Sequence, residues 1–417
     1  MEKFKQKFSR QNRTICLPIP EGSYNEIISD ASQFRTVIDS LIERHLELFP
    51  VTILTGYRMK EIKVCQKLSL PIRRITIQGV SFTIRPAFVM PYMTGFTSEL
   101  ENPLFLRKFD VPFWALSHVF GKYAMYWYRL EQSLGRNSLV GTTIKDSNKL
   151  PKHLSADEKH SSMLGEKIYI ATTVGEQCIL GVAVAEEASE AALLPAYQTF
   201  QQEALQLQQD YSPETVNTDG WKGTQNTWKR LFPLATLIQC FLHVFIKIRD
   251  RSSKQYQALF GQIATKLWEA YQAPNRRTFS QRIRRLDEWN RQHDVPWRFR
   301  HPIEKLRDRL AAFAQAYRFP QAHRTSNMLD RLMQRMDRHL HSTQYFHGNL
   351  SSAELGIRAW ALLYNFAPSN PHTVRKYQGL QSPAERLNGF KYHQSWLQNL
   401  LISASLGGYH TPPLNSG

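Results

Sequence analysis

Residues 167–185 read KIYIATTVGEQCILGVAVA. Two apolar, β-branched runs, 167–174 and 177–185, flank Gly175-Glu176, which is the pattern of two strands joined by a tight hairpin. Working outward, LSADEKH at 154–160 has the composition of a preceding strand with a polar end. An Ala-, Leu- and Gln-rich stretch from Glu186 to Asp210, with Pro195 near its start, reads as a helix. ETVNTD at 214–219 is a short strand closed by an acid, and 234–240 is another. The order is three strands, helix, strand, helix, strand.

That order predicts an α/β domain of the RNase H-like type. Beyond Cys240 the chain turns helical and basic for some eighty residues, until Pro320 to His323 interrupts it. Thr325-Ser326 then opens an amphipathic helix whose apolar stripe is Leu329, Leu332, Met333, Met336 and Leu340. Asp330 and Asp337, seven residues apart, share a different face of that helix. Upstream, residues 32–48 have the spacing of an amphipathic helix, and 73–90 alternate around Gln78-Gly79 as a β-hairpin. Short helical runs between Gly121, Gly135 and Gly141 predict a helix-turn-helix within 112–143. Its aromatics, Trp114, Phe120, Tyr123, Tyr126, Trp127 and Tyr128, are expected to form the core of that small bundle.

The chain therefore divides into a DNA-binding region at 1–145 and a catalytic core at 150–243 and 324–366. A basic helical insertion at 244–323 interrupts the core, and a tail region at 367–417, ending in GGYHTPPLNSG, follows it. The polar stretch KDSNKLPK at 145–152 reads as the linker.

Composition narrows the function. Of 417 residues, 42% are hydrophobic and 12% aromatic, which belongs to folded material, while the formal net charge is +18. Residues 244–345 hold 21 Lys and Arg against nine Asp and Glu, so twelve of the eighteen net charges lie in a quarter of the chain. So concentrated a surplus suits a phosphate backbone, with Arg276, Arg277, Arg282, Arg284 and Arg285 at its centre. Four scattered cysteines without a CxxC form neither a disulfide framework nor a zinc site, which suits a reducing, cytoplasmic setting. The start, MEKFKQKFSR, has no apolar core of a signal peptide, and the longest apolar run is broken by Gln239, His243 and Lys247, so neither secretion nor membrane spanning is expected.

Phosphoryl transfer on nucleic acid by two divalent cations needs carboxylates from separate elements, because hard oxygen ligands must hold both ions about 3.5–4 Å apart. Asp157 at the end of the first strand, Asp219 at the end of the fourth and Asp330 in the first turn or so of a late helix make such a set. No Walker loop is present, in keeping with an ATP-independent reaction.

At these residues the sequence resembles the DDE transposases of insertion sequences, most closely the Mutator-like group. The resemblance rests on TVNTDGW at 215–221, Cys240-Phe241-Leu242-His243, and Ser326-Asn327-Met328-Leu329-Asp330 after a basic insertion. It covers roughly residues 150–366. It implies Asp157, Asp219 and Asp330 as catalytic acids and ligands of two Mg²⁺ or Mn²⁺ ions, with Cys240, His243 and Asn327 as accessory residues. The family usually has Glu as the third acid; Asp330 is one methylene shorter, and Asp337 and Glu354 are its rivals. Cys240 equally suits a small apolar core position, and two ligands are too few for structural zinc. The implied activity is cleavage of transposon ends and transfer of their 3′-hydroxyls to target DNA. The implied partners are the terminal repeats, the target DNA and at least a second copy of the chain. A domesticated, non-catalytic DNA-binding protein and an RNase H-like nuclease are the alternatives.

Overall fold

The computed structural model describes residues 12–325 and 327–409. Two mixed sheets organise a mixed α/β chain. The first sheet contains β1 (Thr14–Leu17), β2 (Arg58–Cys65), β3 (Leu70–Ile77) and β4 (Val80–Pro86), in the order β1-β4-β3-β2. The expected hairpin is β3–β4, and Gln78 and Gly79 turn it with φ of 45° and 79°, the pair of positive values that a two-residue primed turn requires. The expected helix at 32–48 is Ala31–Arg44, capped by Asp30.

The second sheet contains β5 (His153–Met163), β6 (Glu166–Gly175), β7 (Cys178–Ala185), β8 (Thr215–Thr218) and β9 (Thr236–Gln239), in the order β7-β6-β5-β8-β9. The first three strands are antiparallel; β5, β8 and β9 are parallel. Between them run the helices Glu190–Leu207 and Lys222–Leu231, so the expected order of three strands, helix, strand, helix, strand is observed. The β6–β7 turn falls one residue later than the sequence suggests. Glu176 and Gln177 take positive φ, while Gly175 closes β6 with Pro151 packed where a side chain would stand.

One strand departs from expectation in a way that matters for the site. β5 does not stop at its acid but continues beside β6 as far as Met163↔Glu166. β8, however, leaves β5 after Ser155↔Asn217. Asp157 thus lies at the end of the β5–β8 ladder rather than at the end of its strand. From there β5 is paired with β6 alone until Met163, near its end, bridges to Phe346, and a cleft opens at the carboxyl ends of the parallel strands, the usual ligand position in open α/β sheets.

β7 is buried along its whole length between helix Glu190–Leu207 and helix Leu350–Phe366. The latter is itself buried at Ile357, Ala361, Leu362 and Leu363, and it shares one core with the N-terminal sheet. Residues 145–152, expected as a linker, are stitched into this packing: the Lys145 ammonium is buried and donates to the carbonyls of Gly141 and Ser403. Residues 371–403 carry the helices Pro371–Lys376, Pro383–Asn388 and Trp396–Ser403, and Leu397, Leu400, Leu401 and Ile402 are fully buried. Of the terminal GGYHTPPLNSG, Gly407 to Tyr409 are described; residues 410–417 lie outside the described residues.

In the 112–143 region the helices are Phe113–Phe120, Ala124–Leu134 and Leu139–Thr143. Trp127 is buried as expected of a core aromatic. Trp114 (69% exposed) and Tyr123 (61%) are not, and Phe120 is also exposed. The cause is that helix Phe113–Phe120 is mostly apolar but fully buries only Leu116; Phe113 and Ala115 are half-buried, and Trp114, Val119 and Phe120 are left in solvent.

Candidate active site

Each expected acid is delivered by a different piece of local structure. Asp219 follows β8 directly. Its Oδ1 accepts a hydrogen bond from Trp221 N at 2.7 Å, closing a short Asx turn. Gly220 between them has φ 92°, and a Cβ there would stand 2.3 Å from Gln239 Nε2, so the turn needs glycine both for its backbone and for its space. Asp157 Oδ1 accepts from Glu158 N at 2.9 Å, which fixes the carboxylate over the opened edge of β5.

Asp330 arrives from far along the chain, in the first turn of helix Asn327–Ser342. The chain returning from the insertion is pinned just before this helix: Asn217 Nδ2 donates to His323 O (2.9 Å) and Phe241 N to Arg324 O (3.2 Å). Both anchors sit beside the site, one inside β8 and the other at the start of helix Phe241–Arg249. Asn327 begins the Asp330 helix; its side chain and Ser326 lie outside the described residues.

Two groups of ligand atoms result, each lying within 4.8 Å of one another: Asp157 with His243 and Asp330, and Asp157 with Glu158 and Asp219. Asp157 belongs to both. Burial, with the nearby charges of Asp219 and Asp330 adding to it, pushes its carboxyl up to about 6 despite the opposing pull of His243. The donor set of carboxylate oxygens converging in a partly desolvated cleft is what hard divalent cations take as ligands, so the residues fit Mg²⁺ or Mn²⁺. Asp337 and Glu354 are in neither group. Asp337 is paired with Lys159, and Glu354 lies on the buried Leu350–Phe366 helix, where Arg358 and Glu203 are its charged neighbours.

Cys240 caps helix Phe241–Arg249, and its backbone N–H donates to Thr218 O at 2.8 Å, extending the β8–β9 ladder by one step. Its side chain is fully buried, and three residues on, His243 Nε2 stands 3.8 Å from Asp157 Oδ2. Burial works against the charged imidazole, but the hydrogen bond with Cys240 and the charges of Asp157 and Asp219 outweigh it and raise the ring to about 9. His243 therefore carries a positive charge against the acids near neutral pH.

Glu158 is the site residue that sequence reasoning missed. Strand alternation sends it away from Asp157, yet its carboxylate still reaches the group that includes Asp219. Tyr197 donates to its Oε1 at 2.6 Å and Thr224 at 2.8 Å. Burial raises its pKa to about 7. The available signal was the adjacent Asp-Glu pair at the polar end of LSADEKH.

The insertion helices enclose a core of their own, with Ile263, Leu267, Phe279, Ile283, Phe299 and Ile303 fully or nearly fully buried. On helix Arg276–Gln292, Arg276, Arg277, Arg284 and Arg285 are exposed, as a phosphate-facing surface requires. Arg282 differs: it is half-buried and donates to the carbonyl of Glu269 on the preceding helix.

Residues 158–360 match the family model described as Transposase, Mutator family. The match contains Glu158, Asp219, Cys240, His243 and Asp330 and begins one residue after Asp157. Over this stretch, just under half of its length, the chain is similar to the Mutator family of transposases. No curated protein matches the chain. Among the described residues no helix is long and apolar enough to cross a membrane.

Proposed function

We propose that the protein is a DNA transposase that cleaves transposon ends and transfers their 3′-hydroxyls to target DNA, with Asp157, Asp219 and Asp330 as its catalytic acids. The observation that carries this reading is the meeting of three acids, from a strand, a strand end and a distant helix, around the shared carboxylate of Asp157. The sheet order, with three antiparallel strands followed by two parallel ones, supports an RNase H-like core interrupted after its fifth strand.

Asp157 would hold two Mg²⁺ or Mn²⁺ ions in common, Asp219 one of them and Asp330 the other. Such ions, when bound, acidify the attacking hydroxyl and take up charge on the leaving oxygen. The chain's own part is positional. The Asx turn and Gly220 fix Asp219, the Glu158 N–H fixes Asp157, and His243 offsets the crowding of negative charge when the acids are ionised. Tyr197 and Thr224 orient Glu158, which supports the cluster from beneath. Cleavage by water and strand transfer by a 3′-hydroxyl are the same displacement with different nucleophiles, so one site serves both.

The exposed arginines of helix Arg276–Gln292 meet DNA phosphates, and the helices Phe113–Phe120 and Ala124–Leu134 act as the helix-turn-helix that reads the terminal repeats. Cutting two ends together calls for at least a dimer on DNA. The test is Mg²⁺-dependent cleavage of duplexes carrying the sequences that border the gene. Asp157→Asn, Asp219→Asn and Asp330→Asn should each abolish cleavage while leaving DNA binding intact. Cleavage that survives all three substitutions contradicts the proposal.

A further inference from the structure

A cleft of about 130 Å³ adjoins the acid cluster on the side of the insertion, and Asp219, Trp221, Lys247, Lys305 and Arg309 contribute to its walls. Its cations come from two helices. Lys247 lies one turn beyond His243 on helix Phe241–Arg249, on the same face, about 6 Å further from the acids along the axis. Lys305 and Arg309, four residues apart, share a face at the end of helix Trp297–Asp308.

These three cations differ from their neighbours in what they are paired with. On the same stretch Arg300 is held by Glu304 at 3.3 Å and Arg307 by Asp287 at 2.7 Å. Lys247, Lys305 and Arg309 are exposed and, among the described residues, have no carboxylate within ion-pair reach. The one acid in the cleft is Asp219, and its Oδ1 already accepts from Trp221 N. Three cations converging on a space well below the roughly 300–1,000 Å³ of small-molecule sites suit a single phosphodiester group rather than a nucleoside. At the rim the Trp221 ring is held by its Nε1, which donates to Ala188 O at 3.1 Å, and is left 54% exposed.

We infer that this cleft receives the phosphate next to the scissile one, so that the insertion forms a wall of the active site through Lys305 and Arg309. The inference rests on the proposed function. It makes the insertion a positioning element for the reacting strand as well as a DNA-binding surface.

The test uses the full chain and two probes: Mn²⁺-dependent nicking of supercoiled plasmid at saturating DNA, and the salt dependence of binding to an arbitrary 30-base-pair duplex. Lys305→Gln/Arg309→Gln should slow nicking by roughly tenfold or more, because a misplaced reacting group forfeits much of its rate. It should also flatten the log-log salt slope by about 0.9 for each phosphate that is no longer neutralised. Arg375→Gln/Lys376→Gln, which removes the same charge from an exposed helix in the C-terminal region, should leave nicking unchanged. Nicking that needs Asp157 but is indifferent to Lys305 and Arg309 overturns this inference alone, as does an equal loss in both double variants. Nicking that survives Asp157→Asn overturns the proposed function and this inference with it.

Discussion

Asp337 Oδ2 lies 2.7 Å from Lys159 Nζ, an ion pair that joins the Asp330 helix to β5 two residues beyond Asp157. The two acids of that helix thus have separate tasks: Asp330 reaches the acid cluster, and Asp337 ties the helix to the strand. Asp330→Asn should abolish DNA cleavage. Asp337→Asn breaks a partly exposed pair worth up to about 1 kcal/mol and should leave the cleavage rate within about threefold of wild type. Parallel rate measurements on the two variants check this; loss of cleavage in Asp337→Asn with retention in Asp330→Asn would exchange their roles.

Gly220 supplies a second prediction. Gly220→Ala forces a Cβ into a left-handed conformation and against Gln239 Nε2, which shifts the turn presenting Asp219. The backbone strain should cost about 1–2 kcal/mol in thermal or denaturant unfolding. Cleavage should fall by more than the loss of folded protein explains. Removing only the side-chain clash, in Gly220→Ala/Gln239→Ala, should not restore full stability, because the positive φ remains.

Burial holds the Lys145 ammonium at about 7, far below its ordinary value of 10.5. Between these values the unfolded chain binds more protons than the folded one, so the stability contributed by this group is fully present above pH 10.5 and is lost as pH falls towards 7. Lys145→Met should remove this dependence. Relative to that variant, the unfolding free energy of the wild type should rise with pH across this window by up to about 1.4 kcal/mol per unit. Chemical denaturation at stepped pH measures it, and parallel curves for the two proteins would refute it.

Neutralising Arg276, Arg277, Arg284 and Arg285 should flatten the salt dependence of non-specific DNA binding by about 0.9 in log-log slope for each phosphate these side chains cease to neutralise. Arg282 is set apart because it is committed to the Glu269 carbonyl. Arg282→Gln should act on thermal stability more than on the slope.

The second sheet was legible in the sequence because its strands are apolar and its punctuation is local: the apolar runs that became β6 and β7, and Asp219 just past β8. The hairpin around Gln78-Gly79 could be read for the same reason. Non-local choices were not legible. Alternation along LSADEKH cannot show that β8 leaves β5 after Ser155, and that parting turns Asp157 into a cleft residue and admits Glu158. Nor could composition distinguish Lys145 in a linker from Lys145 buried against two carbonyls, since its partners come from Gly141 and the distant Ser403. The aromatics at 114–128 looked like a core by density, but helix Phe113–Phe120 has more apolar surface than its neighbours cover.

The most direct measurement of the central claim is an anomalous difference map from crystals of the full chain soaked in Mn²⁺. The account predicts manganese peaks bound by Asp157 together with Asp219 and Asp330, which disappear in Asp157→Asn crystals of the same form. Manganese elsewhere on the chain, with none among these three carboxylates, would contradict it.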